Sequence, residues 1–243
     1  MQLLLPFPFV PDYDSRDFLP AASNREALAW IDIEWPERRL ALWGPPGCGK
    51  SHLLHIWAER NKADLLTGPM LTDQALHDLN GKAEGGALAL DDADRVASEP
   101  LLLHLLNTAR DRGLRLLLTS REPPSRWPAL LPDLSSRLRA ITAVEVQPAS
   151  DDLLAALLMR LLSDRQLSVA QSVQQWLLTH LPRSPAALRQ AVQRLDQLSM
   201  VSGKAITRSL AARVLAEDET AISSADEVCM SGGPPSSQSP GFL

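Results

Sequence analysis

The run GPPGCGKS, Gly44 to Ser51, constrains this chain more than any other stretch. It follows the apolar residues Leu40, Ala41, Leu42 and Trp43 and precedes a helical pattern from His52 to Arg60. Strand, glycine turn, Lys-Ser, helix is the layout that a bound triphosphate requires. Glycines let the backbone curl round a phosphate with its N–H groups pointing inward. The helix start adds unpaired N–H groups and the positive end of a dipole. Lys50 is spaced to reach the β- and γ-phosphates, and the Ser51 hydroxyl to ligate Mg²⁺. A purely structural glycine turn is the competing reading, and the strand–helix context weighs against it.

The surrounding pattern supplies the fold. Apolar runs predict strands at 40–43, near 64–67, and at 87–90, 114–118 and 141–146. Helical periodicity fills the gaps at 24–33, 51–61, 72–80, 101–112 and 133–138. Such alternation implies an α/β fold, a five-stranded parallel sheet with helices on both faces. LALW, ALAL and LRLLL are continuous apolar runs, as strands buried on both sides require. After Pro148 the pattern becomes helix only, with helices expected near 150–165, 169–180, 184–200 and 207–216. Ser150 is placed to cap the first of these, with Asp151 and Asp152 in its first turn. Pro185 falls at a favoured first helical position. The expected organisation is an extended arm (1–11), a nucleotide-binding domain (12–147), an all-α lid (148–217) and a Ser, Gly, Pro and acid-rich tail (218–243) read as disordered.

A second group of polar residues belongs with the glycine loop. Leu88, Ala89 and Leu90 run into Asp91 and Asp92 about forty residues after the loop. In phosphate-loop proteins an acid at that strand end holds the Mg²⁺ shell, and a neighbouring acid can activate water. Asp91 is therefore assigned to Mg²⁺ together with Ser51, and Asp92 to water activation. Asp94 is read as a solvated or capping acid. The strand 114–118 ends in Thr119, Ser120, Arg121, where two readings stand side by side: a polar reporter on the γ-phosphate, or an ordinary polar strand end. Arg137, in PDLSSRLRA, is either an arginine presented to a neighbour's γ-phosphate or a surface arginine.

Composition narrows the function classes. The formal net charge of −5 gives no global basic field and argues against direct DNA binding as the main activity. Cys48 lies in the glycine loop and Cys229 in the tail, so a disulfide framework is not expected and a reducing cytoplasm fits. The apolar first residues are broken by Pro6, Pro8 and Pro11, without the basic start of a signal peptide, and no membrane span is expected.

Taken together, these motifs resemble the AAA+ module of the replication initiator DnaA, and more closely the DnaA-related regulators Hda and HdaA. Asp17, Phe18 and Leu19, then Ser23 and Asn24, resemble the segment that lies near the adenine in that family. GPPGCGKSHLLH resembles its phosphate loop and helix start, LALDDADR its Walker B strand, and LLLTSREPP its sensor 1 strand. LSSRL resembles the arginine-finger box, with Arg137 at the finger position. LPRSPAALRQAV resembles the start of the sensor 2 helix. The resemblance implies an ADP or ATP site built from Phe18, Leu19, Gly44, Pro45, Pro46, Gly47, Cys48, Gly49, Lys50, Ser51 and His52, with Mg²⁺. It assigns chemistry to Lys50, Asp92, Ser120 and Arg137.

The two ends of the chain add to this. Gln2, Leu3, Leu4, Leu5, Pro6, Phe7 resembles the peptide by which Hda docks on the DNA polymerase III sliding clamp (its beta subunit), with Gln2, Leu3, Leu5, Pro6 and Phe7 in contact. An extended arm suits such docking, since Leu5 and Phe7 can enter an apolar pocket while Gln2 bonds at its rim. Packing of the arm on its own domain is the alternative. No helix-turn-helix domain of the DnaA kind is expected after the lid, so DNA is met only indirectly through the clamp. Two positions depart from the pattern. Ala187 stands where DnaA has its sensor 2 Arg, with Arg183 and Arg189 as candidate substitutes. Arg121 stands where the initiator has its sensor 1 Asp. Both departures imply weak intrinsic ATP hydrolysis.

The resemblance thus implies a negative regulator of chromosomal replication initiation whose substrate sits in its partner, DnaA, and which a homodimer would also accommodate. The main alternative is a self-assembling AAA+ ATPase such as a helicase loader. A small-molecule kinase would need an arginine-rich mobile lid, which the sequence does not suggest.

Overall fold

The computed structural model describes residue 13 and residues 18–80, 85–202 and 206–213. Five parallel strands form one sheet: β1 (Arg39–Trp43), β2 (Asp64–Thr67), β3 (Ala87–Asp91), β4 (Arg115–Ser120) and β5 (Thr142–Glu145). Their spatial order is β2-β3-β4-β1-β5, so β4 is inserted between β1 and β3. Helices α1 (Arg25–Ile31), α2 (Lys50–Asn61), α3 (Asp73–Asn80), α4 (Glu99–Asp111) and α5 (Pro132–Arg139) connect or flank these strands. The expected α/β class and five-stranded parallel sheet are both present.

Alternation along the strands explains the two-faced core. Leu88, Leu90, Leu116 and Leu118 join Leu102, Leu105 and Leu106 of α4 and Leu134 and Leu138 of α5 on one face. Leu40, Leu42, Ala89 and Leu117 join Ala27 and Ile31 of α1 and Leu53, Leu54 and Trp57 of α2 on the other. Burying each of the leucine and isoleucine side chains among them stabilises the fold by about 1.5–3 kcal/mol before chain entropy is set against it. Helix limits differ from expectation by a few residues. α1 stops at Ile31, leaving Ile33 half exposed beyond it. α4 starts at Glu99, ahead of the predicted 101, because Pro100 is tolerated in a first turn.

The chain divides into two units. The first runs to Leu154 and includes 183–185; the second comprises 155–182 and the residues from Ala186 onward. The second is helical: α6 (Asp151–Asp164, which begins in the first unit), α7 (Gln171–His180) and α8 (Pro185–Ser202). Leu157, Leu158, Leu161 and Leu162 of α6, Val173 and Leu177 of α7, and Leu188, Ala191, Val192 and Leu195 of α8 are buried at helical spacing. Val169 and Ile206 form a parallel bridge within this unit. At the start of α6 the Leu153 N–H donates to the Ser150 hydroxyl at 3.3 Å, the cap expected there.

Candidate nucleotide site and the opposite edge of the sheet

At the carboxyl end of β1 the loop Gly44–Gly49 leads straight into α2. Gly44 has φ 151°, and a Cβ there would overlap the Val146 carbonyl oxygen just beyond β5. Gly49, which opens α2, has φ 107°, a conformation that a side chain strains. The buried Lys50 Nζ donates to the Gly44 carbonyl at 2.8 Å and to the Pro45 carbonyl at 2.9 Å, which holds the ammonium over the loop. Cys48 is buried beside it, with its Sγ 3.7 Å from the Lys50 Nζ. Burial pushes the Cys48 thiol pKa up, and the nearby ammonium only partly offsets this.

Ser51 and Asp91, the two residues expected to hold Mg²⁺, lie side by side. The Ser51 hydroxyl donates to Asp91 Oδ1 at 3.0 Å, across forty residues of chain. Two hard oxygen donors side by side fit Mg²⁺, which takes few protein ligands and completes its shell with phosphate and water. Among the described residues no cluster of three or more His, Cys, Asp or Glu is arranged as a metal site.

A residue without an assigned role stands at the centre. The Thr119 hydroxyl, fully buried, donates to Asp91 Oδ1 and accepts the Asp92 N–H at 3.0 Å. Ser120, the candidate reporter, donates instead to the Glu122 carbonyl at 2.7 Å, within the turn after β4. Strand alternation explains the difference. Leu117 packs on the face that carries α2, so Thr119 shares the face of Ser51 and Ser120 points to the other. Asp92 sits in the left-handed region with φ 51°, and its Oδ2 lies 3.3 Å from Arg95 Nη1. Asp94 accepts the Arg121 N–H at 3.0 Å, as a capping acid does.

Aromatic rings border the start of α2. Phe18 meets His52 edge-on at 5.2 Å, and Tyr13 stacks on His55 at 4.0 Å. Burial lowers the His55 pKa, against the pull of Asp91. Asn24 ties this segment down by accepting the Ala21 N–H at 2.8 Å and donating to the Leu19 carbonyl at 3.0 Å. Phe18, expected near the adenine, thus lies against His52 and beside Gly49, Leu19 is held by Asn24, and Pro45 and Pro46 are exposed. Arg183 is ion-paired with Asp151. Asp17 and the clamp-binding candidates Gln2, Leu3, Leu5, Pro6 and Phe7 lie outside the described residues.

Arg137 lies elsewhere. It is half-buried on α5 and lines a cavity of about 420 Å³ with Arg39, the first residue of β1, and with Gly113 and Leu114, which lead into β4. The phosphate loop follows the last residue of β1. Five residues of strand at about 3.3 Å each put roughly 16 Å between the two ends.

Comparison with known proteins agrees with this architecture. Residues 151–215 match the family model described as the Hda lid domain. Domain III of the Thermotoga maritima replication initiation protein DnaA superposes with a TM-score of 0.70 at 19% identity, covering 87% of this chain and 98% of that one. Residues 151–215 thus match an Hda lid domain, and the chain has the fold of DnaA domain III. A replication initiator DnaA bound to AMPPCP and single-stranded DNA gives a TM-score of 0.61 at 17% identity, over 80% of this chain and 66% of that one. The Thermotoga maritima RuvB Holliday junction branch migration motor gives 0.58 at 18%, over 79% and 64%. At these identities the solved structures establish the fold. No helix among the described residues is long and apolar enough to cross a membrane.

Proposed function

We propose that the protein is a negative regulator of replication initiation that acts in trans on DnaA. Its own loop binds ADP or ATP. Phe18, Leu19 and His52 border the base, Gly44 to Ser51 cradle the phosphates, and Ser51 with Asp91 hold Mg²⁺. A bound Mg²⁺ would neutralise phosphate charge at that point. Arg137 serves a different nucleotide, the ATP of DnaA, where its guanidinium balances charge that develops on the transferring phosphoryl group. Residues Gln2 to Phe7 dock the protein on the sliding clamp, so that contact with DNA is indirect. The setting is cytoplasmic, and a homodimer is compatible with this scheme.

One observation carries the reading: Arg137 sits at the far end of β1 from its own phosphate loop, on the rim of an open cavity. An arginine side chain does not span that distance, so its counterpart phosphate belongs to another molecule. The intrinsic turnover of the protein is weak, because Asp92 is engaged by Arg95 and Ala187 replaces the sensor 2 arginine.

The test is DnaA-ATP hydrolysis reconstituted with clamp loaded on DNA. Arginine fingers supplied in trans contribute on the order of 10³–10⁵ in rate, so Arg137→Ala should remove the stimulation by at least about a thousandfold while nucleotide and clamp binding persist. Gln2→Ala with Phe7→Ala should instead abolish capture by the clamp. Undiminished stimulation by Arg137→Ala would refute the trans mechanism, and retained capture by the double variant would refute the docking peptide.

A further inference from the structure

The cavity beside Arg137 has a composition of its own. Its walls carry four guanidinium groups, from Arg38, Arg39, Arg110 and Arg137, and a single carboxylate, from Glu37. Arg39 is the unusual member. Its side chain is only 5% exposed, and its Nη2 is paired with Glu37. Its Nε and Nη1 are buried with no hydrogen-bond partner among the described residues. Arg137 Nε is buried without a partner in the same way. A buried guanidinium nitrogen without an acceptor is costly, and native structures rarely leave several in one place.

The neighbouring strand start provides an internal control. Arg115 opens β4 on the opposite face of the sheet, where its Nη1 donates to Asn61 Oδ1 at 3.0 Å and its Nη2 to the Ile33 carbonyl at 3.3 Å. Its guanidinium also lies 4.7 Å from the centre of the Trp35 ring. Arg115 Nε is buried without a partner, as Arg137 Nε is, but both terminal nitrogens of Arg115 are bonded; Arg39 differs in leaving its buried Nη1 without an acceptor as well. The backbone at the mouth of the cavity is also held in a costly shape, with Glu37 and Arg38 both at positive φ, 50° and 58°. That conformation keeps Glu37 against Arg39 and places Arg38 on the rim.

We propose that this cavity is a second anion site, taking a small phosphate-bearing anion, with Arg39 as its buried anchor and Arg137 as its outer wall. Guanidinium groups recognise phosphate oxygens through paired, charge-assisted hydrogen bonds. The free Nε and Nη1 of Arg39 and the free Nε of Arg137 supply such donors. The site is separate from the glycine loop, which lies at the other end of β1. An anion bound here would hold Arg137 against its own domain. That consequence rests on the trans role proposed above; the binding does not.

Calorimetric titration of the full-length protein with inorganic pyrophosphate tests the site. Wild type should bind two equivalents and Arg137→Gln one. Lys50→Ala should keep one equivalent, and adding Arg137→Gln to it should weaken that binding at least about tenfold. Glu37→Gln removes the competing internal carboxylate and should tighten the same binding several-fold, whereas a merely structural Glu37–Arg39 pair would leave it unchanged. If the glycine loop takes no pyrophosphate, wild type binds one equivalent that Arg137→Gln still removes, so the two readings fail separately. Comparable binding of ADP to Lys50→Ala would identify the terminal phosphates of a nucleotide as the ligand, and binding of pyrophosphate alone would identify the free oxyanion. Stoichiometry that does not respond to Arg137→Gln, or a Lys50→Ala protein that folds and binds no pyrophosphate, would overturn the proposal.

Discussion

The two edges of the sheet treat their polar groups in opposite ways. At the carboxyl edge, Lys50, Ser51, Asp91, Thr119 and the Asp92 N–H are joined in internal hydrogen bonds. At the amino edge, Arg39 and Arg137 keep buried donors with no partner among the described residues. The first arrangement fixes side chains in advance of any ligand. Such fixing lets a site meet charge without reorganising. The second arrangement is complete only when an acceptor arrives from outside. One edge is organised to bind by shape, the other to attract by charge.

Three experiments test this contrast, from the largest expected effect to the smallest. Lys50→Ala removes the ammonium over the loop and should weaken nucleotide binding by roughly a hundredfold or more, the scale of a lost charge-assisted contact to phosphate. Fluorescent-nucleotide titration would measure it, and an unchanged affinity would mean that the carboxyl edge is not the nucleotide site. Thr119→Val preserves shape but removes one of the two hydroxyl donors to Asp91 and leaves the Asp92 N–H without its acceptor. A loss of about 1–3 kcal/mol in urea unfolding is expected, with Thr119→Ser recovering most of it. No loss would show that the hydrogen-bonded chain is incidental. Ser150→Ala removes the cap of α6, which bonds to none of the groups described at either edge, and should cost about 1 kcal/mol without altering nucleotide or pyrophosphate binding. A change in either affinity would break the assignment of function to the two edges of the sheet.

The pH response of the loop follows from Cys48. Its pKa is raised in the folded protein, so the folded state favours the neutral thiol. The contribution to stability is whole below the unfolded thiol's pKa and falls as pH rises through the folded value. Alkylation of Cys48 should accordingly lag behind that of an exposed cysteine in mildly alkaline buffer.

Much of this was legible in the chain itself. The strands announced themselves because burial on both faces demands unbroken apolar runs, and the glycine loop because few other folds need Gly-Lys-Ser between a strand and a helix. The Ser51–Asp91 pair followed from the spacing of two familiar motifs. Thr119 did not, although its signal was present: in LLLTS, alternation puts Thr119 on the same face as Leu117 and Ser120 on the other, and only knowing which face carries α2 selects between them. Arg39 was less accessible still. An arginine at the start of an apolar strand reads as an exposed end, and its burial depends on α4 and α5, which are distant in sequence.

The five residues of β1 have a mechanical consequence. Bonded along both sides to β4 and β5, the strand cannot stretch or bend appreciably, so it acts as a spacer of fixed length between a cradle at one tip and a cluster of guanidinium groups at the other. A triphosphate held at the first tip is out of range of the second in the same molecule. When copies of such a domain stand side by side, the reach of one onto the next is set by that rigid separation and by the angle between neighbours, whatever each cradle contains.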